Sequence, residues 1–440
     1  MPRCRRHVRR VRHDRLLERG TLISARDTLI DAPYSWFRLG VALLLSSIGG
    51  VGMWSMVATL PAAQIQFGIA RGDASLPYSL SMIGFAIGGV LLGRLTDRLG
   101  VMLPVLCGTA SLSLGYLAAG FASQLWQFAL VYGVLIGLFG CSATFVPLLA
   151  DISHWFDRRR GLAVTICASG NYVAGAVWPP VVTHFIGTVG WRPTHLGIAA
   201  FCCVTMAPLA LLLRRRPPVH TPAAAALGEG RRPVIAPSRP LGLSPTGLQT
   251  ALALAGVCCC VAMSMPQVQM VAYCGDMGYG VAAGARMLSL MLAFGVVSRI
   301  GSGFIVDRIG GLPTLLLGSL AQMSALVLYL LLNGLTSLYI ISALFGLFQG
   351  GIVPCYAIIV REYFPARQAG ARVGIVMMAT LFGMALGGWM SGEIFDLTGS
   401  YRAAFANGVA WNVGNALIVL WLLLKPLPRF ARQSSLQARG

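Results

Sequence analysis

Long apolar runs, one after another and separated by short polar segments, constrain this chain more than any single residue does. A helix needs about 20 apolar residues to cross the hydrocarbon of a bilayer. Twelve runs meet that length. The first half of the chain contributes 37–60, 77–95, 101–121, 126–150, 161–185 and 195–213. The second half contributes 249–274, 283–306, 312–332, 336–360, 370–392 and 402–424. The fold class that follows is an all-α membrane protein with twelve transmembrane helices. Composition agrees: 56% of residues are hydrophobic and 11% charged, where a soluble domain carries roughly 25% charged residues. A water-soluble chain this apolar could not cover its own surface, whereas a lipid bilayer accepts apolar side chains facing outward.

A net charge of +20 would suit nucleic acid if the basic residues formed one patch. They sit instead in the short segments between apolar runs, where a membrane protein keeps its cytoplasmic loops, so nucleic acid is not a partner. Of 34 Lys and Arg residues, 29 fall on one side of the thread, counting Arg38 with the N-terminal tail. Four (Arg71, Arg192, Arg286 and Arg402) fall on the other, and Arg299 lies within a span. This bias places both termini and the central linker in the cytoplasm. The organisation is then a basic tail (1–36), a six-helix half (37–213), a linker (214–248), a second six-helix half (249–424) and a short tail (425–440). The linker is rich in Pro, Ala, Gly and Arg and has no apolar period. The N-terminal segment MPRCRRHVRRVRHDRLLERG is basic but carries acidic residues, and no apolar core with a cleavage site follows it, so it reads as a cytoplasmic tail or an over-long start and not as a targeting peptide. A single lysine, Lys425, among so many arginines points to a GC-rich bacterial genome, hence to an inner (plasma) membrane. The cysteines lie mostly inside apolar runs without C-x-x-C spacing. They read as small apolar fillers, with no metal or cofactor implied. No phosphate-cradling G-x-x-x-x-G-K-[ST] loop is present, so ATP does not drive the protein directly.

An internal repeat divides the chain. GRLTDRLG at 93–100 recurs as GFIVDRIG at 303–310, sharing G-x-x-x-D-R-x-G. Each copy follows the second apolar run of its half. A second correspondence follows the fourth and tenth runs, FDRRRG at 156–161 and FPARQAG at 364–370. Parallel six-helix repeats are a known way to build secondary transporters. The pattern resembles the major facilitator superfamily over residues 37–424, which implies two pseudo-symmetric six-helix halves around a central cavity. In that family the loop's Asp and Arg pair with neighbouring helix ends, hold the outward-open state and release as the carrier turns inward. The matching residues are Gly93, Asp97, Arg98 and Gly100, and Gly303, Asp307, Arg308 and Gly310. Charge pairs at a membrane edge are cheap to make and break, as a gate requires.

Charges inside a span are costly and mark function. No Asp, Glu or Lys lies near a span centre, but Arg299 sits eight residues before Asp307, about 12 Å inside the cytoplasmic turn. Its neighbours Gly295, Ser302 and Gly303 are small, leaving room for a guanidinium and a bound anion. The competing reading is that Arg299 reaches the headgroups or helix-end carbonyls. Arg299 also resembles the substrate-binding Arg of the monocarboxylate and oxalate/formate branch, as does WFDRRRGLA at 155–163 before a helix containing Gly170 and Gly175. Two departures matter. Animal monocarboxylate carriers have an Asp four residues before that Arg, where Gly295 stands here, and the eleventh run lacks the Lys of oxalate exchangers. One buried cation fits a monoanion, and a carboxylate-based proton relay is in doubt.

Other candidates for the site are Trp54, Asn171, Tyr172, Gln267, Gln269, Tyr273, Gln349 and Tyr356, whose amides, phenols and indole can bind a small organic anion or simply pack helices. The expected activity is transport of a small organic anion, a monocarboxylate, by alternating access, with exchange, facilitated flow and proton-linked symport all open. The expected working unit is a monomer in a lipid bilayer. Efflux of amphipathic drugs or metabolites, or a non-transporting sensor, are the alternatives. An enzyme would need a buried catalytic group, and His154 and His184 lie near opposite membrane faces.

Overall fold

The computed structural model describes residues 30–215 and 240–425. Most of the basic N-terminal tail, most of the linker and the end of the C-terminal tail lie outside the described residues. Backbone amides in hydrocarbon must be satisfied within the protein, which a helix does locally. Twelve helices long and apolar enough to span result. They are α1 (Pro33–Phe67), α2 (Arg71–Leu99), α3 (Met102–Phe121), α4 (Leu125–Ile152), α5 (Arg160–Val189) and α6 (Trp191–Leu212), then α7 (Pro245–Asp276), α8 (Val281–Ile309), α9 (Gly311–Leu331), α10 (Leu335–Tyr363), α11 (Gln368–Thr398) and α12 (Tyr401–Leu424). Among the described residues there is no strand.

Hydropathy underestimates the ends. Helix α1 begins at Pro33, inside the segment read as tail, and α7 begins at Pro245, inside the segment read as linker. Proline suits a first helical turn because its missing N–H would have had no partner there. The Ser244 hydroxyl caps α7 by accepting from the Gly247 amide at 3.0 Å. Arg38, counted with the tail, is buried within α1.

Three spans are interrupted near mid-depth: α1 at Gly50, α4 at Thr144–Phe145, and α10 at Gly350–Gly351. Helix α4 also runs as a wide π-type turn over Tyr132–Cys141. The two halves share a packing device. In the first, Gly84 and Gly88 of α2 lie against the backbone of α4 at Gly133 and Leu138; in the second, Gly346 and Gly350 of α10 lie against the α8 carbonyls of Met291 and Gly295. A side chain at any of these four positions would separate the helices.

Contacts between halves are made chiefly by α2 with α11 and by α5 with α8. Both described ends and both ends of the linker lie on one face, here called the terminal face. The polar contacts between halves cluster toward the opposite face. Ser79 donates to the Ala385 carbonyl at 2.7 Å, Gln269 to Ser75 at 3.2 Å, and Arg71 pairs with Asp276 at 2.5 Å. On the terminal-face side of Arg299, no hydrogen bond or ion pair joins the halves among the described residues. The polar ties between the halves thus lie away from the terminal face.

Candidate substrate site

The repeated loop motif forms two equivalent helix ends. Gly100 and Gly310 take φ values of +83° and +87°, a left-handed region where glycine is favoured. Each donates its amide back to its helix, to the Thr96 and Val306 carbonyls, both at 2.8 Å. Asp97, Arg98, Asp307 and Arg308 are exposed and carry no partner among the described residues. Gly93 is half-buried beside Val146, and Gly303 stands open.

Deeper in, the Arg299 guanidinium crosses from α8 to α5. Its Nη1 donates to the Ala168 carbonyl at 2.8 Å and its Nε to the Gly350 carbonyl at 3.5 Å. The guanidinium carbon stands 4.5 Å above the Tyr172 ring, a cation–π arrangement that also dries one of its faces. Nη2 has no hydrogen-bond partner among the described residues, so one edge of the donor fork is free. The space anticipated beside Gly295 is not vacant: the Tyr172 ring fills it. Glycine at 295 is what lets that ring lie against α8. Both readings of Arg299 thus have a structural counterpart, with carbonyls holding part of the fork and Nη2 left available.

Around this arginine the sequence candidates separate. Trp54 packs against Gly175 and donates its indole N–H to the Asn171 carbonyl at 3.0 Å and to its side-chain oxygen at 3.2 Å. Trp54, Asn171, Tyr172 and Arg299 therefore form one cluster across α1, α5 and α8. A small cleft lies on its other side at the α1 and α4 interruptions, lined by Ser46, Gly50, Met53, Phe85, Thr144 and Asn171 among others. Gln267 and Gln349 form a second group, an amide pair at 2.9 Å between α7 and α10. The acceptor of Gln267 and the donor of Gln349 remain unpaired although buried, which is costly unless water or ligand meets them. Gln349 immediately precedes Gly350, whose carbonyl receives Arg299.

Three candidates lie elsewhere. Gln269 bridges α7 to Ser75, Ser391 and the Gly388 carbonyl, joining the two halves. Tyr273 packs on Tyr401 and Phe405, with ring centroids 4.7 and 5.8 Å away. Tyr356 is fully buried in the core of the second half and donates to Asn415 at 3.0 Å. Sequence reasoning missed two ion pairs. Arg38 pairs with Asp151 inside the first half, and Arg71 pairs with Asp276 between halves. Their partners are 113 and 205 residues apart, and nothing local signals them.

Twelve spans in two repeated six-helix halves, packed together through α2 with α11 and α5 with α8, define a polytopic membrane transporter. The chain belongs to the Major Facilitator Superfamily, whose family model matches residues 42–340 and 303–439. It is 27% identical to monocarboxylate transporter 13 of Bos taurus over 369 residues, covering 82% of this chain and 81% of the relative. It is 24% identical to the agnestins efflux protein AgnL12 of Paecilomyces divaricatus, covering 74% and 73%. Its fold matches the crystal structure of a bacterial homologue of the human lysosomal transporter Spinster, with TM-score 0.69 and 15% identity over 90% of this chain and 98% of that one.

Proposed function

We propose that this transporter carries a small organic monocarboxylate across the membrane by alternating access, with Arg299 as the anion-binding residue. The observation that carries the reading is the free Nη2 edge of a cation held by Ala168, Gly350 and Tyr172, with no carboxylate on it. A cation placed between the halves, with one donor edge open, favours an anionic ligand. Trp54, Asn171 and Tyr172 form the wall beside it, and the Gln267–Gln349 pair supplies an unpaired donor and acceptor nearby. The relatives named monocarboxylate transporters support the same class.

The exposed, unpaired Asp97, Arg98, Asp307 and Arg308 fit a conformer open at the terminal face, with the motif contacts released. The excess of Lys and Arg on that face supports a cytoplasmic assignment. On this reading the carrier works as a monomer in a bacterial inner membrane, with tails and linker in the cytoplasm and the two six-helix halves as the moving bodies. The absence of an acidic residue at Gly295 favours exchange or facilitated flow over a carboxylate-linked proton relay.

The test is uptake of labelled lactate, pyruvate, formate and oxalate into proteoliposomes, comparing the parent with Arg299→Ala and Arg299→Lys. A monocarboxylate should move in the parent, and both variants should lose at least about tenfold in uptake while remaining folded, because lysine lacks the planar fork. The fungal efflux relative favours a second reading, export of amphipathic metabolites. That reading takes over if no carboxylate moves or if Arg299→Ala transports normally.

A further inference from the structure

The contacts between α2 and the α7/α11 pair form three layers, one above another. The outermost is charged. Arg71, at the first position of α2, donates Nη1 to Asp276 at 2.5 Å, and its Nε and Nη2 reach Gln64 at 3.3 and 3.2 Å. Its guanidinium also covers the rings of Phe395 and Tyr401 at 4.6 and 5.6 Å. The Tyr401 hydroxyl donates to the same Asp276 oxygen at 2.6 Å. Asp396 of α11 accepts the Arg71 and Gly72 amides at 3.0 and 2.6 Å. One carboxylate of the second half thus caps the N-terminus of a first-half helix, where the exposed amides and the helix dipole favour a negative charge. The middle layer is Gln269 on Ser75, and the innermost is Ser79 on the Ala385 carbonyl. Glycines make the approach possible: Gly392 lies on the backbone of Arg71 and Gly72, and Gly388 on the Tyr78 ring.

We infer that Arg71, Asp276 and Asp396 form the latch that closes the opposite face, and that its strength sets how the carrier divides between its two open states. The asymmetry is the argument. The opposite face has charged, capped and packed contacts between halves. The terminal face has no hydrogen bond or ion pair between halves among the described residues, and its motif charges stand unpaired. Opening the opposite face must strip Asp396 from the α2 N-terminus and Asp276 from Arg71 together, since both carboxylates belong to the second half. Charge-assisted bonds in a partly dried setting are the strongest polar contacts between the halves. The deeper Gln269 and Ser79 layers separate only once this outer layer yields. The latch is independent of which substrate is carried.

The test is a distance measurement. Spin labels go on cysteines introduced at Gln66 and Leu397, both exposed on the opposite face, in a background with Cys4, Cys107 and Cys203 replaced by alanine. Pulsed dipolar spectroscopy on the reconstituted protein should give one short distance. Asp396→Asn, nearly isosteric, should add a longer population, moving the closed-to-open ratio by at least about tenfold, and Arg71→Ala should move it further. The exchange Arg71→Asp with Asp276→Arg should restore part of the short population. If Arg71→Ala does not fold, Asp396→Asn decides the matter. A distance distribution unchanged by Asp396→Asn overturns the latch, whatever the transport assay returns.

Discussion

The buried ion pair in the first half offers the sharpest test of how this fold is held. Arg38 and Asp151 are 1% and 4% exposed. Nε and Nη2 of the arginine meet the two carboxylate oxygens at 2.7 and 2.9 Å, a two-point pairing. Nη2 also donates to the Leu213 carbonyl at 3.3 Å, Nη1 to Tyr34 at 3.5 Å, and the guanidinium lies 4.6 Å over Trp155. The pair thus joins α1 and α4 to the end of α6. Truncating one partner leaves a charge buried with no counterpart, at a cost of about 3–5 kcal/mol, whereas replacing both with apolar side chains of similar volume is often close to neutral. Arg38→Met should therefore cost about 3–5 kcal/mol and Asp151→Leu a similar amount. The double variant should lie within about 1–2 kcal/mol of the parent, a strongly negative coupling energy in the cycle. The assay is equilibrium unfolding in mixed dodecylmaltoside–SDS micelles, followed by helical circular dichroism. Single variants costing less than about 1 kcal/mol would show the pair to be solvated like a surface bridge, and the argument from burial would fail. Additive single and double costs would refute the coupling.

Two further outcomes separate packing from substrate contact. Tyr356→Phe removes the hydroxyl bonded to Asn415 and should lower unfolding stability by about 1 kcal/mol, with the KM for uptake unchanged, because the residue lies in the core of the second half. Gly346→Ala would set a methyl group on the Met291 carbonyl of α8. It should cost about 1–3 kcal/mol or abolish the folded yield, while Gly301→Ala, with open space around it, should be nearly neutral; equal yields from the two would refute close packing of α8 on α10.

Much of this architecture is legible in the sequence because lipid makes its demand locally. Each span must be apolar over its own length, so hydropathy finds all twelve helices and errs only at ends such as Pro33 and Pro245, where polar residues extend the helix beyond the hydrocarbon. The repeated loop is legible for a similar reason: Gly100 and Gly310 each need a backbone conformation that glycine favours, whatever surrounds them. Arg299 is noticeable because a charge at its depth is expensive. The relations between spans are not local, and there the sequence falls silent. Nothing near Arg38 announces Asp151, nothing near Arg71 announces Asp276 and Asp396, and the glutamines of α7 look alike although Gln267 pairs with α10 while Gln269 reaches across to α2. Gly295 shows the difference most clearly. By composition it leaves a vacancy beside Arg299, and in the fold that vacancy is where the Tyr172 ring enters to meet the guanidinium. A small residue next to a buried charge therefore specifies how closely another helix comes, and only the packing decides whether a ligand or a side chain of the protein occupies the space.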